Sequence, residues 1–388
     1  MSIKNIVFFQ FSFGIGGEIL SYLRMAHWLA QNTDYPIHIF DRAESPVHAY
    51  LQNHYAALIN KRFFVHPYHA DRLQEEKLTF PPGSVVLTNG HFLCQDELIT
   101  NINAQHAKWL FYFLEPHTYK DLLKYVGFFK SLKLRVKIRK RLKTADLKQA
   151  LLMQDFPNYN NLKKFYPKLH KAYQPLAIEE PSFRENWQLK PGFLHVAYIG
   201  RNSSSKNYSL RFIAKKLNRY AHSKKIQILF SIIGDFQENS LLCQKIRYQN
   251  PCILVRFLGP LFGPELTRFL KERVDVVAAM GTSCLEAGRL GILALSVPAS
   301  PPKKLPAKTQ VGFIADFKEF ALGGFVGEEN GLTRPYSFDG ALDLLRKDYS
   351  ALIQAQNEHI KHHFDINVTM KLFLQALQRT SFELSDLG

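Results

Sequence analysis

Three times along the chain an apolar run of strand length stops at a small-residue or glycine turn and gives way to a segment with helical spacing. IVFFQF runs into GIGGE and then EILSYLRMAHWLA. HVAYIG runs into a polar loop and then YSLRFIAKKLNRYA, and VDVVAAM runs into GT and then SCLEAGRLG. A strand that is apolar throughout is covered on both faces, and strands alternating with helices build parallel sheets of that kind. This alternation confines the chain to an α/β architecture. Further strands are expected at IHIFD, VVLTN (85–89), KWLFYFLE (108–115), IQILFSIIG, ILVRFLG and ILALSV, and further helices at ELTRFLKERV and NVTMKLFLQAL (367–377).

With 388 residues the chain has room for two domains of ordinary size. A stretch rich in proline and charge, YQPLAIEEPSFRENWQLKPG (173–192), reads as the linker, and the strand–helix pattern restarts beyond it. Residues 1–174 then form a first Rossmann-like domain and 190–364 a second. Two such domains in series imply a cleft. In open parallel sheets ligands sit beyond the carboxyl ends of strands, where helix N-termini offer free N–H groups.

The formal net charge is +17, and it is unevenly spread. In KSLKLRVKIRKRLK (130–143) eight of fourteen residues are Lys or Arg and none is acidic. Such a field calls for an anionic partner or a solvated face, and its sign alone does not choose among membrane, nucleic acid and phosphorylated substrate. As a helix, the segment would lay Phe128, Phe129, Leu132 and Val136 into a lipid interface beside its cations, so peripheral contact with the inner face of a membrane through 126–143 is one expectation. A solvated charged face and an anionic saccharide are the rivals, and the alternation LRVKIR also fits a strand. No nucleic-acid-binding motif is present, so no nucleic-acid partner is expected. The four cysteines (Cys94, Cys243, Cys252, Cys284) have neither disulfide-framework nor zinc spacing. With no apolar run long enough for export or for a bilayer span, a cytoplasmic location, in places membrane-associated, is expected.

Four strand ends in the second half carry candidate chemistry. In YIGRNSSSKN (198–207), Gly200 ends a strand and Arg201 and Lys206 follow on a polar loop, two cations able to grip a diphosphate. SIIGDF (231–236) and VRFLGPL (255–261) each finish at glycine, where a backbone can approach a flat ring. In MGTSCLEAGRLG (280–291), Ser283 to Glu286 makes the S-x-x-E of a capping box. The same residues allow a second reading, with Thr282 and Ser283 at a helix N-terminus that holds phosphate and Glu286 accepting from sugar hydroxyls. The residues by themselves leave both open.

Taken together, Gly200, Arg201, Lys206, Gly234-Asp235, Phe257-Leu258-Gly259, Asp275, Leu285-Glu286-Ala287 and Gly291 resemble the C-terminal domain of glycosyltransferases of the two-Rossmann-domain GT-B architecture, closest to the group 1 (GT4-type) family. Gly16-Gly17-Glu18 is similar to the family's glycine turn beside the donor phosphates. VGEENGLTRPYSFDGALDLL (326–345) is similar to its Glu-Asn-Gly-Leu loop, and the final helix, about 365–388, resembles the one that crosses back onto the first domain. The likeness is specific from Tyr198 to Gly291 and weak between Asp41 and Gln174.

The resemblance implies transfer of a sugar from a nucleotide-diphosphate donor to a saccharide or lipid-linked acceptor, in surface polysaccharide, lipopolysaccharide or glycolipid synthesis. Arg201 and Lys206 would stabilise the departing diphosphate, Glu286 would bind ribose hydroxyls, and Gly234 with Phe257 would border the base. No D-x-D occurs, so neither a metal nor any cofactor besides the donor substrate is expected. One departure stands out: Ala278 occupies the position where the retaining group carries a second glutamate eight residues before Glu286. Retention is favoured by the family, while inversion would need a base, for which His91 and His117 after first-domain strands are candidates. A nucleotide-sugar 2-epimerase of the same fold and a non-catalytic sugar-binding scaffold are the alternatives.

Overall fold

The structure is a computed structural model that describes residues 3–9, 17–69, 72, 77–103, 106–124, 128–300 and 305–387. It divides into two compact units, residues 1–177 with 366–388, and residues 178–365. Each is an α/β unit around its own sheet. Among the described residues, no helix is long and apolar enough to cross a membrane.

The first unit is built on strands β1 (Asn5–Phe9), β2 (Ile37–Arg42), β3 (Phe63–Tyr68), β4 (Ser84–Asn89), β5 (Lys108–Phe113) and β6 (Leu151–Met153), all parallel, in the order β3-β2-β1-β4-β5-β6. Successive side chains of a strand point to opposite faces. Val7 and Phe9 therefore enter one core with Phe92, Trp109 and Phe111, while Ile6 and Phe8 enter the other with Tyr22, Leu23 and Ala26 of helix α1 (Gly17–Asn32). The basic segment forms helix α2 (Phe128–Leu147), which settles its ambiguous alternation. The side chains of Phe128 and Phe129, the apolar anchors expected from the sequence, lie outside the described residues. Ile138, Leu142 and Ala145, spaced four and three apart, bury one stripe against the sheet, and Lys, Arg and Leu favour the helix elsewhere.

The second unit carries β7 (Phe193–Ile199), β8 (Gln227–Ile233), β9 (Leu254–Phe257), β10 (Val276–Ala279), β11 (Leu293–Ser296), β12 (Gln310–Phe313) and β13 (Tyr336–Ser337) in the order β9-β8-β7-β10-β11-β12-β13. The first five are parallel, and β12 and β13 run antiparallel to their neighbours. Its helices include α3 (Ser204–Lys224), α4 (Gly263–Arg273), α5 (Thr282–Arg289) and α6 (Phe338–His363). In both sheets the strand order reverses beside the first strand of the unit, between β1 and β4 and between β7 and β10.

Much of the proline-rich stretch read as a linker is clasped to the second unit. Ser182 N and Arg184 N donate to Arg289 O and Leu290 O, both at 2.8 Å. The Arg184 guanidinium lies 3.7 Å over the Trp187 ring and donates to Val274 O (2.7 Å) and Tyr349 Oη (2.9 Å). Asp275 ties these parts together: its carboxylate accepts from Trp187 Nε1 (2.8 Å) and His195 N (2.7 Å), and its carbonyl accepts from Tyr349 Oη (2.9 Å). Asp275 sits at the N-terminal edge of β10, so its part in the sequence pattern is structural.

The last helix, α7 (Ile366–Arg379), belongs to the first unit. Its strongly amphipathic sequence buries Met370, Phe373 and Leu377 in the core shared with α1. Trp28 Nε1 donates to Asn367 Oδ1 (2.9 Å) and Gln174 Nε2 to Thr369 O (3.1 Å), and Thr380 Oγ1 donates to the Trp109 carbonyl (2.7 Å). Phe373 is fully buried, so Phe373→Ala should cost about 3–5 kcal/mol of stability in chemical denaturation. A loss below about 1 kcal/mol would show that α7 does not complete this core.

A histidine pair on β2 and β3 gives the first unit an acid-sensitive seam. His38 Nδ1 and His66 Nε2 are 3.0 Å apart, and His38 Nε2 is 3.3 Å from Asn5 Oδ1. With Nε2 donating to Asn5, Nδ1 must accept, which requires a neutral ring. Burial, and after it the neighbouring His66, lower the His38 pKa to about 4. The unfolded chain, titrating near the usual 6.5, then binds a proton that the folded chain refuses, so this site's stability is full above that range and is lost as pH falls toward 4. Thermal melts between pH 7 and pH 5 should therefore show a smaller acid loss for His38→Gln than for the wild type, and equal losses would remove the assignment.

Candidate functional site

At the carboxyl edge of the second sheet, three backbone turns close against one another. Gly200 N donates to Ile233 O (3.1 Å), Leu258 N to Ile232 O (3.0 Å) and Gly234 N to Gly259 O (2.9 Å). Gly234 has φ +150°, and a Cβ there would lie 2.0 Å from the Gly200 carbonyl oxygen, so no side chain fits. Asp235 Oδ1 accepts from Asn202 N (2.6 Å) and pins the 200–203 loop to the end of β8. Phe257 is half-buried against the core beside these turns, under the Arg247 guanidinium at 5.5 Å.

Between β7 and β10 the pairing stops at Val276↔Val196 and Val277↔Ala197. Tyr198–Ile199 and Ala278–Ala279 thus continue without pairing to each other. That opening is the switch point of the sheet, where a parallel α/β sheet receives its ligand. A small pocket lies there, lined by Tyr198, Ile199, Lys206, Ser209, Ala279 and Met280 among others.

Lys206 stands in the first turn of α3, an end that repels positive charge. Burial, and after it the positive charge of Arg201, lower the Lys206 pKa; Cys284 in the first turn of α5 acts weakly the other way. Lys206 itself lines the switch-point pocket with Ala279 and Met280, just before α5. Neither Arg201 nor Lys206 has a carboxylate partner among the described residues. A half-buried cation beside a second cation, with no acid to offset them, is arranged to receive an anion.

Helix α5 begins at Gly281, with φ +65° and no side-chain cap bond. The S-x-x-E pattern does not form a capping box, because Ser283 lies inside the first turn and Gly281 holds the cap position. Glu286 Oε2 instead accepts from Arg289 Nε (2.8 Å), and Arg289 also pairs with Glu179 (3.0 Å). The first-turn amides of Thr282 and Ser283 lack intrahelical acceptors, as at any helix start. Gly281 N donates to Leu322 O (3.3 Å) and Ser296 Oγ to the same carbonyl (2.9 Å), so the chain near Gly323 backs this helix start. The Glu-Asn-Gly-Leu loop reaches the pocket wall through Val326 N, which donates to Ala299 O (2.9 Å).

In the first unit, His91 and His117 follow the ends of the neighbouring strands β4 and β5. His91 N donates to Asn89 Oδ1 (3.1 Å), and Asp121 N donates to His117 O (2.9 Å). Burial lowers the His91 pKa, against the opposing pull of Glu115 and Asp121. Gly16 lies outside the described residues, and Gly17 opens α1. Sequence reasoning passed over Arg289, which holds Glu286, and Asp235 as the anchor of the cation loop. The i, i+3 spacing of Glu286 and Arg289 is the signal that reveals the first pair.

No protein-family model and no curated protein sequence matches the chain. Solved structures do. A trehalose-6-phosphate synthase, OtsA, is similar at TM-score 0.52 and 12% identity, covering 97% of this chain and 99% of that one. WaaG, a glycosyltransferase involved in lipopolysaccharide biosynthesis, is similar at TM-score 0.50 and 13% identity, over 97% and 100%. A UDP-forming alpha,alpha-trehalose-phosphate synthase from Burkholderia xenovorans is similar at TM-score 0.50 and 10% identity, over 98% and 100%. At such identities the likeness is one of fold, and the fold of this chain is the GT-B architecture of these glycosyltransferases.

Proposed function

We propose that the chain is a glycosyltransferase that takes a sugar from a nucleotide-diphosphate donor and passes it to a saccharide or lipid-linked acceptor in surface-glycan synthesis. The observation that carries this reading is Lys206: a half-buried cation lining the switch-point pocket of the second sheet, with no acidic partner among the described residues. The GT-B fold and the printed role of WaaG in lipopolysaccharide biosynthesis support the reaction class.

In this reading the diphosphate lies across the pocket mouth. As the bond from the anomeric carbon to the phosphate oxygen breaks, negative charge grows on the leaving diphosphate. Arg201 and Lys206 and the first-turn amides of α5 at Thr282 and Ser283 stabilise that charge without a metal ion. Glu286, oriented by Arg289, accepts from ribose hydroxyls. Gly234 and Phe257 border the base, with the turn at Gly234 held closed against Gly200 beneath it. Ala278 presents only a methyl group from a buried strand position, so sugar selection falls to other groups. If the reaction inverts, His91 or His117 of the first unit supplies the base. The lowered pKa of His91 keeps the ring neutral and able to accept a proton at pH 7.

A thermal-shift panel with UDP, GDP, CMP, ADP and TDP sugars tests the donor class, since binding to the folded state raises the melting temperature. For the base that binds, Arg201→Ala and Lys206→Ala should each weaken affinity roughly tenfold or more, the loss of one charged hydrogen bond of about 1.5–3 kcal/mol. The unliganded lysine loses its proton at a lower pH than an ordinary lysine. Affinity should therefore decline as pH rises through that lowered range, and Lys206→Arg should flatten the decline. Unchanged binding in both alanine variants would remove the diphosphate assignment.

A further inference from the structure

From Ser45 to Asn60 the first unit holds no Asp, Glu, Lys or Arg, in a chain where such residues make up 21% of the whole. The stretch comprises the helix Val47–Tyr55 and the turn Ala56–Leu58 after it. Val47 and Leu51, one turn apart, bury the inner side of this helix in the core shared with α1. Its remaining surface offers rings, amides and alanines. Tyr50 and Tyr55 are half-buried, while Gln52, Asn53, His54, Ala56, Ala57 and Asn60 are exposed.

The rings form a strip. His27 of α1, itself half-buried, stacks on Tyr55 with ring centres 4.5 Å apart and planes at 27°. Tyr50 faces His54 at 4.2 Å and 31°, and the two tyrosine rings meet at 6.1 Å. Each tyrosine has an exposed amide three residues away, Asn53 for Tyr50 and Gln52 for Tyr55, and that spacing makes them neighbours on the helix surface. The helix follows the carboxyl end of β2, and its last residue, Tyr55, packs edge-on against Phe63, the first residue of β3 (5.9 Å, 89°). The strip therefore lies toward the amino-terminal edge of the sheet, away from the ends of β4 and β5 that carry His91 and His117.

We infer that this strip is a binding platform for an uncharged saccharide chain. A pyranose has one face of C–H groups and a rim of hydroxyls. The C–H face lies on an aromatic ring, and the hydroxyls pair with groups that both donate and accept, as Asn and Gln amides do. The lack of charge selects this partner. An anionic lipid or a nucleic acid needs cations in the contact, and none stands between Glu44 and Lys61. A protein partner is gripped by large side chains that project into its pockets, and none of the large hydrophobic residues that stand exposed among the described residues lies on this helix. A glycan held here stays beside the protein between encounters with the reaction centre, which raises its effective concentration there. The platform does not depend on the donor reading, because every group it uses belongs to the first unit.

Native electrophoresis of the full-length protein toward the cathode, through gels carrying dextran, galactomannan or mixed-linkage β-glucan, tests the platform with three neutral polysaccharides. At least one should retard the wild type, and the retardation should persist as salt rises because no ion pair contributes. Tyr50→Ala with His54→Ala should weaken that binding about tenfold, leaving the circular dichroism and the thermal response to nucleotide sugars unchanged. Tyr50→Phe, which keeps the ring, should retain most of it. Gln52→Ala with Asn53→Ala should weaken it several-fold through lost hydrogen bonds to hydroxyls. A wild type that none of the three polysaccharides retards would overturn the proposal, as would equal retardation of the Tyr50/His54 variant. So would a wild type that sediments as a dimer beside a Tyr50/His54 variant that sediments as a monomer, since the strip would then join two copies of the chain.

Discussion

The second unit depends on a close approach of backbone to backbone at the ends of β7, β8 and β9. Gly200, Gly234 and Gly259 join by hydrogen bonds where any side chain at 234 would collide with the Gly200 carbonyl. That closure determines where Asp235 meets Asn202, and so where the loop bearing Arg201 leaves the sheet and leads into the first turn of α3 with Lys206. Beside it, β7 and β10 cease to pair after Ala197 and Val277. One seam is closed by glycine and the next is left open, and Lys206 lines the opening.

The charge of +17 resolves into two unlike arrangements. At the switch point, Lys206 is half-buried and Arg201 exposed, neither with an acidic partner among the described residues, and a bound anion changes the energy of the buried cation most. On α2 the cations are dispersed in solvent beside the exposed Leu132 and Val136, where each contributes little. Elsewhere several cations are spent on structure. Arg184 holds the 182–187 segment to Trp187 and Tyr349, Arg141 anchors α2, and Arg289 steadies Glu286. Counting positive residues does not separate these uses, because the difference lies in what each one faces.

Much of the architecture is legible from local chemistry. Apolar runs such as HVAYIG and VDVVAAM are β7 and β10, and the segments after them are helices, because strand and helix periods and glycine breaks are local properties. The failures are also instructive. Ser283 and Glu286 carry the pattern of a capping box, yet Gly281 takes the cap, since a turn at φ +65° moves the helix start two residues earlier. The Pro-rich stretch looks like a free linker until Arg184 and Trp187 are seen against Asp275 and Tyr349, far away in sequence. LRVKIR alternates like a strand, and it is a helix because burial of Ile138, Leu142 and Ala145 outweighs a short alternation.

By itself, then, the sequence determined that the chain is an α/β protein with glycine-ended strands, cations after one of them and a dense basic segment. Those properties follow from neighbours along the chain. Tertiary structure alone decided that Lys206 lines the opening between β7 and β10, that Arg289 takes Glu286, that Asp275 is a clasp at the opposite edge, and that Leu132 and Val136 stay in solvent. The physical reason is that burial and electrostatic partnership depend on which distant segments fold against a residue, and no local pattern records that.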